Sequence, residues 1–461
     1  MTKHIQNFPA MSKPKPNPLS VRYICETFWA LEAQYDLLNW QIDDVYIWPI
    51  IRMRIYYALV QQLGVFDNPH PEQHTSFFQK VGQGARVLKT LFTHNPYRKH
   101  AIAKHIIFPH PRKVKGEDIY SAQLRRELGD DALVIEEGSR PAAGHLTLDG
   151  YRLWQHLKMT FIKPFFHLQP KDIEKIASIE RLLTEQLGAS PAVTPILRHH
   201  LLKFRYYLPL YETCFRRKQT QKVYLGVGYG KPYIIAAAHA VGARAIEFQH
   251  GTITPYHLGY SYPQPSAVPY TADLLLTFGR YWADTTTLST KTQPIVIGAP
   301  YVKQLGATAD EKKPKSIVFV SQGVIGQRLF AFARDVAERL SDYSIYYNLH
   351  PSERLADYPQ SLPANIQLVH QSPTIFELLA QCEYQVGVFS TTLFEGMVLG
   401  CKIILIDMPG IDYMQPVIER GDALLVKTAQ ELIAQLPYAK PVKNVEYYYA
   451  EPVEHIMEIV Q

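Results

Sequence analysis

The segment 384–407, YQVGVFSTTLFEGMVLGCKIILID, restricts the fold more than any other stretch of the chain. An apolar run over 385–389 reads as a buried strand. Ser390, Thr391 and Thr392 then open a helix that starts at about Leu393, Gly400 closes it, and a second apolar strand covers 403–406. A strand, a helix and a strand in direct succession form a crossover unit, and strands this apolar belong in a sheet covered on both faces. The helix start carries unpaired backbone N–H groups, Ser/Thr hydroxyls and the positive end of the helix dipole, a combination that suits a phosphate. One turn further on, Glu395 is placed to accept hydrogen bonds from a ribose. Ser and Thr are also ordinary N-caps, so the weight of this segment comes from its neighbours.

Those neighbours repeat the pattern. From His105 onward short apolar runs alternate with helices: HIIFPH, then IYSAQLRRELG, then ALVIEEG. A mostly helical stretch follows over about 152–218, and KVYLGVGYG, KPYIIAAAHAVG and ARAIEFQHG make another strand–helix–strand unit. ADLLLTFG and PIVIGAPYV add strands. A polar, aperiodic segment at 306–315, GATADEKKPK, separates this series from a second one that begins with SIVFVSQG and continues through SIYYNLHP and IQLVH to the opening unit. The expected fold is therefore α/β, with two Rossmann-type doubly wound domains facing across a cleft. A chain of 461 residues exceeds what a single core usually supports, which agrees.

The domain reading is a flexible Pro- and Lys-rich leader over 1–20, an N-terminal helical segment over 21–100, a first Rossmann-like domain over 101–305, a second over 306–440, and a C-terminal helix over 441–461 returning to the first. In the helical segment, Ile50, Met53, Tyr57 and Val60 share a face behind Pro49 while Arg52 and Arg54 depart from it. That block reads as a subdomain packed on the main body. Its Trp, Tyr and Arg content also suits an interfacial surface meeting a membrane-borne acceptor.

Composition narrows the function classes. Hydrophobic residues at 47% and charged residues at 20% describe a globular protein. The four cysteines are scattered without a C-x-x-C pair, so neither a disulfide framework nor a zinc site is expected and a reducing cytoplasm fits. The leader lacks a signal-peptide core, and no window is long and apolar enough for a transmembrane helix. A net charge of +6 is spread along the chain, which argues against nucleic acid as partner.

Three polar clusters in the second domain each follow a strand: Ser321-Gln322-Gly323, His350-Pro351-Ser352-Glu353 and Ser390-Thr391-Thr392. In a parallel sheet these ends face one rim, where a nucleotide meets Ser321 and Gln322, His350 and the hydroxyl loop together. In the first domain Glu136, Glu137 and His250 are the acid/base candidates. His250 precedes Gly251, whose missing side chain leaves room for a ligand, and an imidazole is suited to taking a proton near neutral pH. Glu247, Gln249, Gly251 and Arg112 are expected on the acceptor side, and Lys231 is a further anion-binding candidate. No D-x-D pattern follows a strand, so no metal is expected.

The order QHG (249–251), HPSE (350–353) and STTLFEG (390–396) resembles bacterial GT-B glycosyltransferases of surface-polysaccharide assembly, including capsule and lipopolysaccharide enzymes. It also resembles the sialyltransferase and polysialyltransferase groups, in which HP and Ser/Thr motifs bind CMP and an acidic motif supplies the base. The resemblance implies donor-binding roles for His350, Pro351, Ser390 and Thr391. It matches Glu136, Glu137 and Gly138 to the acidic motif by letters, although the long interval to His350 makes QHG the more natural counterpart. Teichoic-acid-type glycerophosphotransferases share a similar layout.

The expectation that follows is a glycosyltransferase with a CMP- or UDP-linked sugar as substrate, no cofactor, and a glycan or lipid-linked oligosaccharide as acceptor. Direct displacement with inversion would use His250 or Glu137 as base. The alternatives are a sugar-nucleotide epimerase or hydrolase on the same scaffold and a non-catalytic polysaccharide-assembly protein.

Overall fold

The structure is a computed structural model that describes residues 20–67, 77–98, 102–114, 117–138, 140–302 and 311–460. The leader, apart from Ser20, lies outside the described residues, as do 68–76 and residues 306–310 of the expected domain junction.

The first lobe holds β1 (His105–Phe108), β2 (Ala132–Val134), β3 (Lys222–Gly226), β4 (Arg244–Phe248), β5 (Leu274–Thr277) and β6 (Gln293–Val296), all parallel in the order β2-β1-β3-β4-β5-β6. The second holds β7 (Lys313–Val320), β8 (Ser344–Asn348), β9 (Ile366–Val369), β10 (Cys382–Gly387), β11 (Lys402–Ile406) and β12 (Leu424–Val426), again all parallel, in the order β9-β8-β7-β10-β11-β12. The central strands are apolar on both faces because helices cover both, and crossover connections place every strand's carboxyl end on one rim. Strand order reverses between β1 and β3 in the first lobe and between β7 and β10 in the second. These reversals open the crevices in which doubly wound sheets bind ligands.

The lobes share a core. One buried cluster joins Ile246, Leu276 and Trp282 of the first lobe to Val318, Phe394 and Leu405 of the second, with Tyr448 and Tyr449 of the C-terminal segment between them. That segment lies on the first lobe: Ala450 N donates to Phe278 O (2.8 Å), Val453 N to Ile297 O (3.0 Å), and Ile456 N and Met457 N to the Glu127 carboxylate (3.0 and 2.9 Å).

The N-terminal helices α1 (Val21–Tyr35) and α2 (Trp48–Gln62) are interior elements. Ser20 caps α1, its hydroxyl accepting from Tyr23 N (3.4 Å), and Pro49 sits in the first turn of α2, where its missing N–H costs nothing. Phe28, Trp48, Ile51 and Leu59 are fully buried. The expected interfacial face on this block is therefore corrected, because its large aromatics have already found partners within the chain. Arg52 is corrected too: it is 2% exposed, 2.9 Å from Glu32, which also accepts from Trp48 Nε1 (2.7 Å). The block also touches the second lobe. Tyr56 and Tyr413 hydroxyls lie 2.7 Å apart, Asp67 N donates to Val324 O (2.6 Å), and Arg328 reaches Asp67 (2.7 Å).

Candidate functional site

A cavity of about 590 Å³ lies between the carboxyl rims of the two sheets. The first lobe contributes His250, Gly251 and His257, and the second contributes Gln322, Gly323, His350, Ser352, Ser390 and Thr391. The third wall is aromatic, with Tyr56 and Tyr57 from α2 and Phe66, Phe389 and Tyr413 beside them. The Phe389 ring is 5.7 Å from Phe66 and 5.3 Å from Tyr413. The volume is in the range of small-ligand sites.

The second-lobe side is built from interlocked loops. After β7, Tyr347 donates to Ser321 Oγ and Ser321 donates to Glu353, both at 2.9 Å. Glu353 also receives the His350 backbone N–H and the Tyr358 hydroxyl, both at 2.6 Å, which fixes the 350–353 turn. His350 Nδ1 accepts from Ser352 N (3.2 Å) and lies 2.7 Å from Ser352 Oγ, so the ring proton sits on Nε2, a neutral donor suited to an anion. Burial holds this imidazole below its usual range, against the pull of Glu353. Gly323 is needed here, since a Cβ at that position would overlap Ser352 Oγ. Ser390 caps the helix Thr391–Val398 by accepting from Thr392 N (3.2 Å), which leaves its O–H for another acceptor. Gln322 Oε1 accepts from Phe389 N (3.3 Å) and ties this loop to the first.

On the first-lobe side His250 follows β4. Its Nδ1 lies 3.4 Å from the Tyr260 hydroxyl, which donates to Glu247 Oε1 (2.6 Å); the same oxygen accepts from Gly228 N (2.7 Å). Burial raises Glu247 to about 7 despite the Tyr260 and Gly228 donors and Lys231. Burial lowers His250 to about 3, helped by His110, His257 and Lys231. The His250 carbonyl accepts from Tyr120 Oη (2.7 Å), which accepts from Arg112 Nη1 (3.2 Å); Arg112 Nη2 lies 3.4 Å from Glu395 Oε1, which also accepts from Tyr301 (2.9 Å). A polar chain thus runs from His250 across the lobe boundary to Glu395, one turn into the helix behind Ser390. A Cβ on Gly251 would stand 3.7 Å from Thr391 Oγ1, so the two loops face each other at close range.

Several expected site residues lie elsewhere. Glu395 is wholly buried on Arg112 and Tyr301 and does not line the cavity, so its ribose role is withdrawn; Arg112 is likewise committed to Glu395 and Tyr120. Glu136 bonds Lys113 (2.8 Å) and Ala142 N (2.7 Å) and lies 3.1 Å from His145. Burial would raise it, but those three partners hold it below the usual carboxylate range. Glu137 pairs with Arg152 (3.0 Å). Both follow the edge strand β2, one strand away from the crevice. Ser321 and Gln249 are 3% and 1% exposed and act as loop braces, Gln249 donating to Gly251 O and accepting from Phe278 N, both at 2.9 Å. Glu247 acts through Tyr260. Pro351 and Thr392 flank the lining, with Thr392 O accepting from Gln385 (2.9 Å).

Sequence reading missed His110, His257, Tyr260 and the α2 tyrosines. His110 stacks on His250 with ring centroids 5.3 Å apart. Its Nδ1 accepts from Arg112 N (3.1 Å), the same two-residue ring cap seen at His350. The signal was present, because FPHP places a His-Pro turn after a strand just as NLHP does.

No family model and no curated protein matches the chain. Solved structures to which it is similar include glycosyltransferases and UDP-GlcNAc 2-epimerases. Spinosyn rhamnosyltransferase SpnG is 14% identical, with a TM-score of 0.41 over 75% of this chain and 89% of that one. The kitacinnamycin glycotransferase is 14% identical, with a TM-score of 0.44 over 72% and 89%. UDP-GlcNAc 2-epimerase from Methanocaldococcus jannaschii is 12% identical, with a TM-score of 0.43 over 77% and 98%.

Proposed function

We propose that the chain is a glycosyltransferase that moves a sugar from a nucleotide-sugar to an acceptor hydroxyl. The observation that carries this reading is the single cavity lined by His250 and Gly251 from one lobe and by His350, Ser390 and Thr391 from the other. The second-lobe rim takes the donor. His350 Nε2–H, the Ser390 and Thr391 hydroxyls and the helix start neutralise the leaving phosphate, and the Phe66 and Phe389 rings offer a stacking face to base or sugar. The first-lobe rim takes the acceptor. Its hydroxyl oxygen attacks the anomeric carbon, the bond to phosphate breaks with inversion, and the proton passes to His250 Nε2.

A base at about 3 is neutral at any working pH, and its weakness is offset through Tyr260: an ionised Glu247 stabilises the imidazolium that forms. Glu137 is bound to Arg152 and outside the lining, so His250 is the better base. A CMP- or UDP-linked donor and a glycan or lipid-linked oligosaccharide of bacterial surface-polysaccharide type rest on the motif order 249–251, 350–353 and 390–396.

The test is a thermal-shift panel of CMP, UDP, GDP and CDP, followed by donor turnover with and without acceptor. Saturating nucleotide at a hundred times Kd adds about 2.7 kcal/mol. A selective shift that disappears in Ser390→Ala, with turnover requiring acceptor, is the expected result. No shift with any of the four overturns the proposal.

A further inference from the structure

Away from the cleft, α3 (Phe77–Thr93) and α5 (Asp149–Ile162), separated in the chain by α4 (Ala122–Leu128), pack together on the first lobe. Thr147 N donates to His94 O (2.9 Å) and Asn95 Nδ2 to the Tyr151 hydroxyl (2.9 Å). A Cβ on Gly150 would stand 2.5 Å from Leu91 Cγ, so the glycine lets the helices close on each other. Thr90 and Met159 are buried, and on the outward side large apolar side chains stand bare among polar and basic ones. Seven of the thirteen exposed large hydrophobic side chains among the described residues lie on these two helices and the turn after α5. Phe92, Trp154, Phe161 and Phe165 are 69%, 58%, 76% and 79% exposed.

The charges beside them have one sign. Arg86, Lys89, Lys158 and Lys163 are exposed, and Lys158 Nζ lies 5.5 Å from the Trp154 ring centre. Across 77–93 and 149–165 the only acid is Asp149, which is paired with Arg152 (2.8 Å).

From this patch we infer that the first lobe docks on an anionic lipid bilayer through α3 and α5. Phenylalanine and tryptophan side chains enter the headgroup boundary while long basic side chains reach lipid phosphates, a division that large exposed aromatics beside uncompensated lysines satisfy. A protein partner with an apolar face would leave the one-sided charge unanswered. The inference deepens the proposed transfer reaction, on which it rests for purpose: Arg152 ties α5 to Glu137 at the carboxyl rim, so docking here brings the acceptor lobe to an acceptor held in the membrane.

The experiment is co-sedimentation of the full chain with phosphatidylcholine vesicles, with and without phosphatidylglycerol. Binding is expected only to the mixed vesicles and is reversed by high salt. Phe161→Ser with Phe165→Ser, and separately Lys158→Glu with Lys163→Glu, are each expected to weaken it about tenfold or more without changing the melting temperature. Failure to bind mixed vesicles, equal binding to both kinds, or wild-type binding by both double variants overturns the inference. Nucleotide-induced thermal shifts measured on the same variants are expected to match wild type, so the docking surface and the transfer reaction fail or stand separately.

Discussion

Arg112→Ala tests the polar chain that joins the lobes. Arg112 Nη2 and Glu395 Oε1 are 3.4 Å apart, and at an effective dielectric constant of about 20 their attraction is about 5 kcal/mol. Glu395 has no exposed surface, whereas the Arg112 side chain is 33% exposed, so solvent screens part of that attraction. With the guanidinium gone, the carboxylate keeps only the Tyr301 hydroxyl on Oε1, and Oε2 already lacks a protein partner. Breaking a buried pair from one side costs about 3–5 kcal/mol, and the screening places this case near 3 kcal/mol. Urea unfolding followed by tryptophan fluorescence reads it, because Trp282 of the first lobe packs 4.6 Å from Phe394 of the second. Glu395→Gln in the Arg112→Ala background is expected to recover most of the loss by removing the orphaned charge. A loss below about 1 kcal/mol, or no recovery in the double variant, refutes the reasoning.

Four further outcomes are expected. If Glu247 supports His250 through Tyr260, kcat/KM rises with pH through about 7, and Tyr260→Phe flattens that rise while leaving nucleotide shifts intact. Gly323→Val pushes against Ser352 and disturbs the His350 turn, so it weakens nucleotide binding about tenfold or more in titration calorimetry. Burial lowers His110, His250 and His257 to about 4, 3 and 4, so the folded state takes up fewer protons than the unfolded chain; stability is full above about pH 6.5 and falls as the pH drops toward 3, and His250→Asn reduces that fall in acid titration of unfolding. Glu136→Gln is expected to cost about 1–3 kcal/mol of stability by breaking the Lys113 and Ala142 contacts and to leave turnover unchanged.

The two doubly wound lobes were legible because β/α alternation and glycine-closed helices are local signals. So was the convergence of 321–323, 350–353 and 390–392 on the second lobe's rim, since a parallel sheet delivers every strand's carboxyl end to the same side. Sequence does not say which way a strand-end hydroxyl turns. Ser321 and Ser390 read alike, yet one is absorbed by Glu353 while the other faces the cavity. Strand order is equally hidden, and it alone removes Glu136 and Glu137 from the crevice by sending β2 to the sheet edge. The wall formed by Tyr56 and Tyr57 depends on contacts with residues some 350 positions away, such as Tyr56 with Tyr413, which no local pattern encodes.

The segment Ser20–Asp67 behaves as a strap. Ser20 reaches Asp412, Asp67 bonds Val324 and Arg328, and the helices between them are sunk in the first lobe's core. Spreading the jaws by a rigid swing would tear both fastenings at once. Substrate traffic must instead use movements smaller than a full hinge opening, such as rearrangement of Phe66, Tyr57 and the loops they touch. Because Tyr56, Tyr57 and Phe66 belong to the same strap, one segment sets both the spacing of the jaws and part of the pocket's aromatic wall.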